Sequence, residues 1–220
     1  MRVLAVDTTT TRGSVALADA DEVLGEVRLT SPTSHSTRLV AAIECVLNGL
    51  GLRPADIEGY AVATGPGSFT GLRVGLSTVQ GLALGSGRPC LGVPALDVLA
   101  ARIRDTAPHL VAMMDAFRGA VYAALYDSEA RLVGERRLCA ASTFLRDVPA
   151  GVAFLGDGAL RYRRELLQSH PAALFPARSL YLAGTLALIA LGRLEAGEGA
   201  GPESLRPLYL RGADIRPSAS

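Results

Sequence analysis

One segment of the sequence, GPGSFTGLRVG from Gly65 to Gly75, has the residue types and spacing of a loop that could hold a phosphate. It follows a strand-like run and opens a helical pattern, where backbone N–H groups can bind an anion. The spacing of Gly65, Gly67 and Gly71 is one residue longer than the dinucleotide fingerprint, and a P-loop is excluded because the chain contains no lysine. The residues favour a packing role instead. Gly65 and Gly67 permit a tight turn, and Gly71 and Gly75 let the helix approach a neighbour closely.

The acidic and histidine residues are too dispersed to predict a catalytic or metal site. Asp7 and Asp115 end two strand-like runs and could hold magnesium, but a two-metal nuclease normally collects roughly three or four acidic groups in one cleft. The histidines, His35, His109 and His170, lie far apart in the chain, and none forms a pair on one helical face. The sequence therefore predicts no catalytic residue and no bound metal.

Composition and charge narrow the class of protein. The 220 residues carry a formal net charge of +1, which argues against binding nucleic acid through the overall field. The longest uncharged runs, residues 74–87 and 179–192, are shorter than the roughly 18 to 20 apolar residues of a membrane-spanning helix. The opening residues, MRVLAVD, have no signal-peptide pattern. The number of cysteines is odd, and Cys45, Cys90 and Cys139 lie far apart in the chain, which favours reduced thiols over disulfide bonds. We therefore expect a globular cytoplasmic protein without a membrane segment.

The hydrophobic pattern predicts an α/β order of elements. A three-strand meander opens the chain, and apolar residues then recur at helical spacing from Ser34 or Ser36 to the glycines at 49–51. A strand, the glycine-rich turn and a second helix follow, and then a short strand and a third helix. Further elements are predicted as a strand at 152–155 and helices at about 159–168 and 182–195.

The second half of the chain repeats the opening, which indicates duplication. When LAVDTTTTRGSVALADADEVLGEVRL is set beside VAMMDAFRGAVYAALYDSEARLVGERRL, Asp7 falls on Asp115, and an Arg-Gly pair and a Gly-Glu pair also coincide. Chance is the alternative, because apolar strands look alike. We predict two lobes with the same meander, residues 1–106 and 107–220.

Motifs along the whole chain carry a resemblance to a known family. The chain resembles the TsaB (YeaZ) family, bacterial proteins of threonylcarbamoyladenosine synthesis on tRNA, in five segments: MRVLAVDTTTTRGSVAL, SHSTRLVAAIECVL, ATGPGSFTGLRVGLSTVQGLA, MMDAFRGAVYAALY and PLYLRGADIRP. The resemblance implies a two-lobed actin-like ATPase (ASKHA) fold. This is an α/β fold of duplicated ribonuclease H-like lobes with mixed sheets flanked by helices, and it agrees with the internal repeat.

The resemblance also bears on nucleotide and metal binding. In this fold the opening hairpin wraps phosphates, and a glycine turn of the second lobe packs the adenosine. The corresponding residues here are Asp7, Thr8, Thr9, Thr10, Gly156 and Gly158. Asp157 would place a negative charge near the nucleotide, and threonines also suit a plain turn, so ATP binding by the isolated chain is not favoured. The histidine pair of the catalytic relative, TsaD, is absent from the corresponding LGVPALDVLAARI.

The resemblance implies a non-catalytic subunit. Its partners would be a TsaD-like catalytic paralogue, a TsaE-like small ATPase and, through the complex, tRNA. ATP and a metal ion would be bound by the partners, and this chain would require no cofactor. Without its partner the chain is expected to self-associate as a homodimer.

Two helices of the first lobe are the predicted contact with the paralogue. They are more apolar and richer in glycine than one small lobe needs, so their outer faces could pack against equivalent helices of the partner. The alternative is that these residues all face their own sheet. The predicted interface residues are Leu39, Ile43, Val46, Leu72, Leu76 and Val79.

The sequence leaves an alternative function from another class open. This alternative is a stand-alone enzyme of the same fold, either an ATP-dependent small-molecule kinase or a metallopeptidase. Such an enzyme requires a second-lobe phosphate motif or metal ligands that the sequence does not offer.

Overall fold

The chain folds into two compact units. The computed structural model describes residues 1–30 and 36–210. The first unit contains Met1–Arg102 together with Ser179–Pro207, and the second is built on Ile103–Arg178. The predicted boundary at residue 106 lies close to the end of the first segment. The chain then returns to the first unit at Ser179, which a second lobe running over 107–220 does not allow for.

A five-stranded mixed sheet forms the centre of the first unit. Its strands are β1 (Val3–Asp7), β2 (Arg12–Asp19), β3 (Glu22–Thr30), β4 (Gly59–Ala63) and β5 (Cys90–Val93). The order is β3-β2-β1-β4-β5. The first three strands are an antiparallel meander, and β4 and β5 run parallel to β1.

The second unit repeats this topology with four strands. They are β6 (His109–Asp115), β7 (Ala120–Asp127), β8 (Leu132–Ala140) and β9 (Val152–Leu155), in the order β8-β7-β6-β9. Here too the first three strands form an antiparallel meander, and β9 is parallel to β6. Asp7 and Asp115 are the last residues of the equivalent strands β1 and β6. The predicted duplication is therefore confirmed.

Helices flank both sheets. They are α1 (Ser36–Gly49), α2 (Phe69–Ser86), α3 (Ala95–Ala101), α4 (Ala141–Leu145), α5 (Asp157–Arg161), α6 (Arg163–Ser169) and α7 (Ala183–Glu195). The single helix predicted at 159–168 is wrong, because the chain breaks at Tyr162 into α5 and α6. Among the described helices, none combines the length and the apolar character that crossing a membrane requires.

The position of α7 corrects the lobe assignment. Large residues of the first sheet, such as Leu4 and Val6, pack against α1 and α2 in the main core. Because side chains alternate along a strand, Ala5, Ala16 and Ala61 point to the opposite face. Of the seven buried residues of α7, four are alanine or glycine and three are leucine, and the helix packs on β1, β2 and β4. Two surfaces of small residues can approach closely, so α7 belongs to the first unit.

The N-terminus of α7 is capped by residues far away in the sequence. Its own N-cap position, Leu182, has no side chain that can accept a hydrogen bond. The Ala183 N–H instead donates to the Ser14 hydroxyl on β2 at 3.0 Å, and the Gly184 N–H donates to Glu26 Oε1 on β3 at 3.3 Å. These bonds satisfy N–H groups that a helix leaves without an intrahelical partner.

A segment that follows α7 covers the edge strand β5. Cys90 and Ala200 exchange backbone hydrogen bonds of 2.9 and 3.1 Å. The Gln80 side-chain amide on α2 donates to the carbonyls of Pro202 and Leu205 at 3.2 and 3.3 Å, and Leu205 is buried in the main core. The segment thus protects an edge that would otherwise expose unpaired backbone groups.

Candidate functional site

The turn between β1 and β2 is the first of the two segments predicted to bind nucleotide. Asp7 Oδ1 accepts hydrogen bonds from the Thr9 backbone N–H at 2.9 Å and from the Thr9 hydroxyl at 2.7 Å. The Thr10 hydroxyl accepts from the Arg12 N–H at 3.1 Å. An acidic side chain that binds the N–H two residues on is an Asx turn. The threonine run therefore builds the turn itself.

The glycine-rich stretch starts α2 directly against this turn. Gly65 has φ 112°, a backbone that side chains disfavour, in agreement with the predicted tight turn. The Ser68 N–H donates to the Thr9 carbonyl at 2.7 Å, and the Thr8 hydroxyl donates to the Gly71 carbonyl at 2.7 Å. The Ser68 hydroxyl caps the helix by accepting from the Gly71 N–H at 3.3 Å.

The predicted close approach of Gly71 and Gly75 to a neighbour is confirmed, and the neighbour is the β1–β2 turn. A Cβ atom on Gly71 would lie 2.1 Å from the Thr8 carbonyl oxygen, and one on Gly75 would lie 2.4 Å from the Thr8 hydroxyl. Gly67 has the same role, since its Cβ would lie 2.3 Å from the Thr9 carbonyl oxygen. No side chain fits at these distances, so the glycines are required for packing.

The second predicted segment, FLGDGALR, joins β9 to α5 and packs against the end of β6. Gly156 has φ 129°, and a Cβ there would lie 1.9 Å from the Met113 carbonyl oxygen. A Cβ on Gly158 would lie 2.8 Å from the Met114 carbonyl carbon. Both glycines thus allow one stretch of backbone to contact another.

Asp157 stabilises this second contact, a role that the sequence analysis missed. Its Oδ1 accepts from the Asp115 N–H at 3.0 Å and from the Gly158 N–H at 2.9 Å. The Arg161 guanidinium donates to Asp115 Oδ2 at 2.8 Å. The position of Asp157 in the first turn of a helix was the available signal. Whether the turn of either unit binds nucleotide stays a prediction.

The six predicted interface residues are not on the surface. All are buried in the core of the first unit, which makes the alternative, that they face their own sheet, the correct one. They are Leu39, Ile43, Val46, Leu72, Leu76 and Val79. The physical reason is that apolar residues at helical spacing mark the face a helix buries against its own sheet.

Other apolar side chains of α1 and α2 do reach solvent. Val40 is 56% exposed, Phe69 55% and Leu84 74%. The Arg73 guanidinium lies 3.9 Å from the centroid of the Phe69 ring, so this exposed aromatic side chain carries a cation on one face. None of these exposed side chains is among the six residues that the sequence analysis predicted for a partner contact.

Histidine and cysteine side chains occupy separate places. Within residues 1–30 and 36–210, no group of three or more histidine, cysteine or acidic side chains is arranged to hold a metal ion. The Nε2 atom of His170 lies 2.9 Å from the Val148 carbonyl oxygen, and the imidazole ring lies against Phe154.

Burial raises the pKa of the Cys90 thiol, and the nearby Glu203 adds to this rise. Burial also raises the pKa of the Cys139 thiol. Raised pKa values keep both thiols protonated and unreactive at neutral pH.

The two units and their strand-end turns define a class of protein, the actin-like ATPase (ASKHA) fold. The activator of the 2-hydroxyisocaproyl-CoA dehydratase from Clostridium difficile shares this fold. Its TM-score is 0.60 over 95% of this chain and 100% of that chain, at 10% sequence identity. At so low an identity the likeness concerns the fold alone.

Sequence comparison assigns the family within this class. Residues 23–155 match the family model of TsaD, the tRNA N6-adenosine threonylcarbamoyltransferase. The chain is 39% identical over 131 residues to the tRNA threonylcarbamoyladenosine biosynthesis protein TsaB of Escherichia coli, a match that covers 59% of this chain and 56% of that protein. The matches thus span about half the length of such curated relatives. The structure of YeaZ from Pseudomonas aeruginosa has a TM-score of 0.80 and 30% identity over 95% of this chain and 99% of that chain. The chain belongs to the TsaD-related family that includes the TsaB (YeaZ) proteins.

Proposed function

We propose that this chain is a non-catalytic subunit that binds and supports a TsaD-type threonylcarbamoyl transferase. The product of the complex is N6-threonylcarbamoyladenosine at position 37 of tRNAs that read ANN codons. A TsaE-like small ATPase is the other protein partner, and tRNA binds through the complex. ATP and the catalytic metal ion belong to the partners in this proposal.

The similarity to proteins named for tRNA threonylcarbamoyladenosine biosynthesis carries the proposal. Contacts within the first unit support the accessory role. The Thr8 and Thr9 hydroxyls are engaged with groups of their own unit. An enzyme of this fold would need such groups for its nucleotide, so their present engagement favours a supporting subunit.

The contact with the paralogue is proposed to use the outer faces of α1 and α2. Val40, Phe69 and Leu84 are the large apolar side chains exposed there. Burying such side chains against a partner removes apolar surface from water, which drives protein association. This surface replaces the buried stripe that the sequence analysis predicted.

The test is copurification of a tagged chain from its own cells, with companions identified by mass spectrometry. The expected companion is a TsaD-like paralogue in stoichiometric amount. Leu84→Asp should reduce its recovery by at least about tenfold, because the exposed side chain would place a charge in an apolar interface. Leu160→Asp is the matched control, since Leu160 is an equally apolar exposed helical residue of the second unit and should leave recovery unchanged.

The same preparation distinguishes the alternative function. Recovery of the chain without a paralogue, but with stoichiometric nucleotide or metal, would favour a stand-alone kinase or metallopeptidase. Equal recovery with Leu84→Asp and with Leu160→Asp would contradict the interface while leaving the subunit role in place.

A further inference from the structure

The turn between β6 and β7, residues 116–119, presents an aromatic side chain to solvent. Phe117 is 67% exposed, and the next two residues, Arg118 and Gly119, are exposed as well. The equivalent turn of the first unit lies under α2, where Thr8 and Thr9 are each 1% exposed. The duplicated fold can therefore cover this turn, and the exposure of Phe117 is particular to the second unit.

The backbone of the turn is one that residues with side chains rarely adopt. Phe117 has φ 61° and Arg118 has φ 52°, followed by Gly119 with φ 81°. Asparagine and glycine are the usual residues at such positions. Asp115 Oδ1 accepts a hydrogen bond from the Phe117 N–H at 3.1 Å, and the Phe117 carbonyl accepts from the Ala120 N–H at 3.0 Å. Because this conformation is costly for phenylalanine and arginine, a function of their side chains explains their presence better than the turn does.

Guanidinium groups lie beside Phe117. Its neighbour Arg118 makes no ion pair with another described residue. The Arg161 guanidinium donates to Asp115 Oδ2 at 2.8 Å, so it lies next to the carboxylate that binds the Phe117 N–H. The Asp115 side chain is 10% exposed and that of Arg161 is 55% exposed, so the cation is the outer member of the pair. Its remaining N–H donors are available to a ligand.

The start of α6 adds two further cations. Arg163 and Arg164 are exposed, and neither makes an ion pair with another described residue. The Arg163 guanidinium lies 4.8 Å from the centroid of the Phe175 ring. Glu165 is the exposed carboxylate of this helix, whereas Asp157 on α5 accepts hydrogen bonds from two backbone N–H groups. The exposed side chains of this region are therefore mainly arginines.

An exposed aromatic ring beside arginines is a combination that binds single-stranded nucleic acid. A base stacks on the ring, and guanidinium groups pair with the phosphates. An apolar pocket of a protein would also accept Phe117, but the arginines would then lose water without a stated counter-charge. The local charge therefore favours RNA, although the net charge of the whole chain is only +1.

We propose that this surface, defined by Phe117, Arg118, Arg161, Arg163 and Arg164, binds an unpaired stretch of RNA. Phe117 stacks on a base, and the arginines pair with phosphates of the same strand. The identity of this RNA as the tRNA substrate rests on the proposed function. In that case tRNA contacts this chain directly.

The test is fluorescence anisotropy with the full chain and two labelled RNAs at about 50 mM salt. One is a single-stranded oligouridine of about 12 nucleotides, and the other is an RNA duplex of equal length. The single strand is expected to bind with a Kd below about 100 µM. Phe117→Gly should weaken that binding at least about fivefold and leave duplex binding unchanged, because the bases of a duplex are already stacked on one another.

Further variants separate binding from folding. Phe117→Gly should change the melting temperature little, because glycine adopts this backbone readily and the lost side chain is exposed. Phe117→Tyr keeps a ring and should bind as the wild type does. Arg118→Gln should weaken binding and its salt dependence. Arg104→Gln is the matched control, since Arg104 is an exposed arginine that precedes β6, at the opposite end of that strand from the turn.

Equal binding of the single strand by wild type and Phe117→Gly, or no saturable binding up to about 200 µM chain, would overturn the proposal. Displacement of the strand by ATP at an equal concentration of nucleotide would also overturn it, because the surface would then be a mononucleotide site. So would loss of the paralogue from Phe117→Gly with RNA binding unchanged, because the ring would then contact a protein.

The outcome for RNA is independent of the outcome for the paralogue. Recovery of the paralogue with a chain that binds no RNA would overturn this contact alone. RNA binding by a chain that recovers no paralogue would overturn the proposed function and leave the RNA contact in place.

Discussion

The glycines in and immediately before α2 have two opposite roles at the residue scale. Gly67, Gly71 and Gly75 lie against backbone or hydroxyl oxygens of the β1–β2 turn, where a Cβ atom cannot fit. Gly81 and Gly85, on the same helix, face open space. The sequence alone cannot separate the two groups, because glycine spacing along a helix does not say which atoms face it.

This difference predicts opposite effects of the same substitution. Gly71→Ala should lower the free energy of unfolding by about 1–3 kcal/mol, since the added methyl group would displace the Thr8 backbone. Gly81→Ala should leave it unchanged or raise it by up to about 1 kcal/mol, because alanine is the better helix former. Urea denaturation of both variants measures the difference. Equal destabilisation of the two would contradict the assigned contacts.

The cysteines give a prediction on reactivity and pH. Cys45 is exposed, whereas burial raises the pKa of Cys90 above its ordinary value of 9.0. Iodoacetamide at about pH 8 should therefore modify Cys45 in the native protein and Cys90 only after unfolding. Because the unfolded thiol ionises first, the stability contributed by the protonated Cys90 is complete below pH 9.0 and is lost as pH rises through the folded pKa. Peptide mass spectrometry checks the labelling, and equal rates at the two residues would be the contrary result.

At the scale of elements, α7 depends on strands that precede it by most of the chain. The hydroxyl of Ser14 and the carboxylate of Glu26 accept hydrogen bonds from its first N–H groups. Its alanine- and glycine-rich side packs on the alanine face of the first sheet. The helix is thus specified jointly by β2, β3 and its own composition.

Loss of the distant cap is expected to destabilise the first unit. Ser14→Ala should reduce the free energy of unfolding by about 1 kcal/mol, the usual cost of removing an N-cap. Ser77→Ala, on the exposed side of α2, is the control and should have little effect. Urea denaturation compares the two, and coincident unfolding curves would show that the Ser14 bond contributes nothing.

Local sequence patterns predicted the secondary-structure elements better than they predicted which elements pack together. The short strand-like runs of β1 to β3 and the repeat of Asp7 at Asp115 were sufficient to predict the meander and its duplication. The unit to which α7 belongs was not predictable in this way, because it depends on matching two alanine-rich surfaces far apart in the chain. The interface residues were misassigned for a related reason: an apolar stripe at helical spacing reports burial, and it does not say what covers the helix.

At the scale of the whole molecule, the chain leaves the first unit and returns to it. The main segment of the second unit, Ile103–Arg178, lies in the chain between Met1–Arg102 and Ser179–Pro207. The returning segment supplies α7 and the cover of β5, so the first unit is complete only when the late part of the chain is present. The proposed partner surface of α1 and α2 belongs to this first unit.

The level of N6-threonylcarbamoyladenosine in tRNA tests the central claim most directly. The chain is depleted from its own cells, total tRNA is digested to nucleosides, and the modified nucleoside is quantified by liquid chromatography and mass spectrometry. The account predicts a marked fall that is restored by the wild-type chain and not by Leu84→Asp. An unchanged level of the modified nucleoside in cells that lack the chain would contradict it.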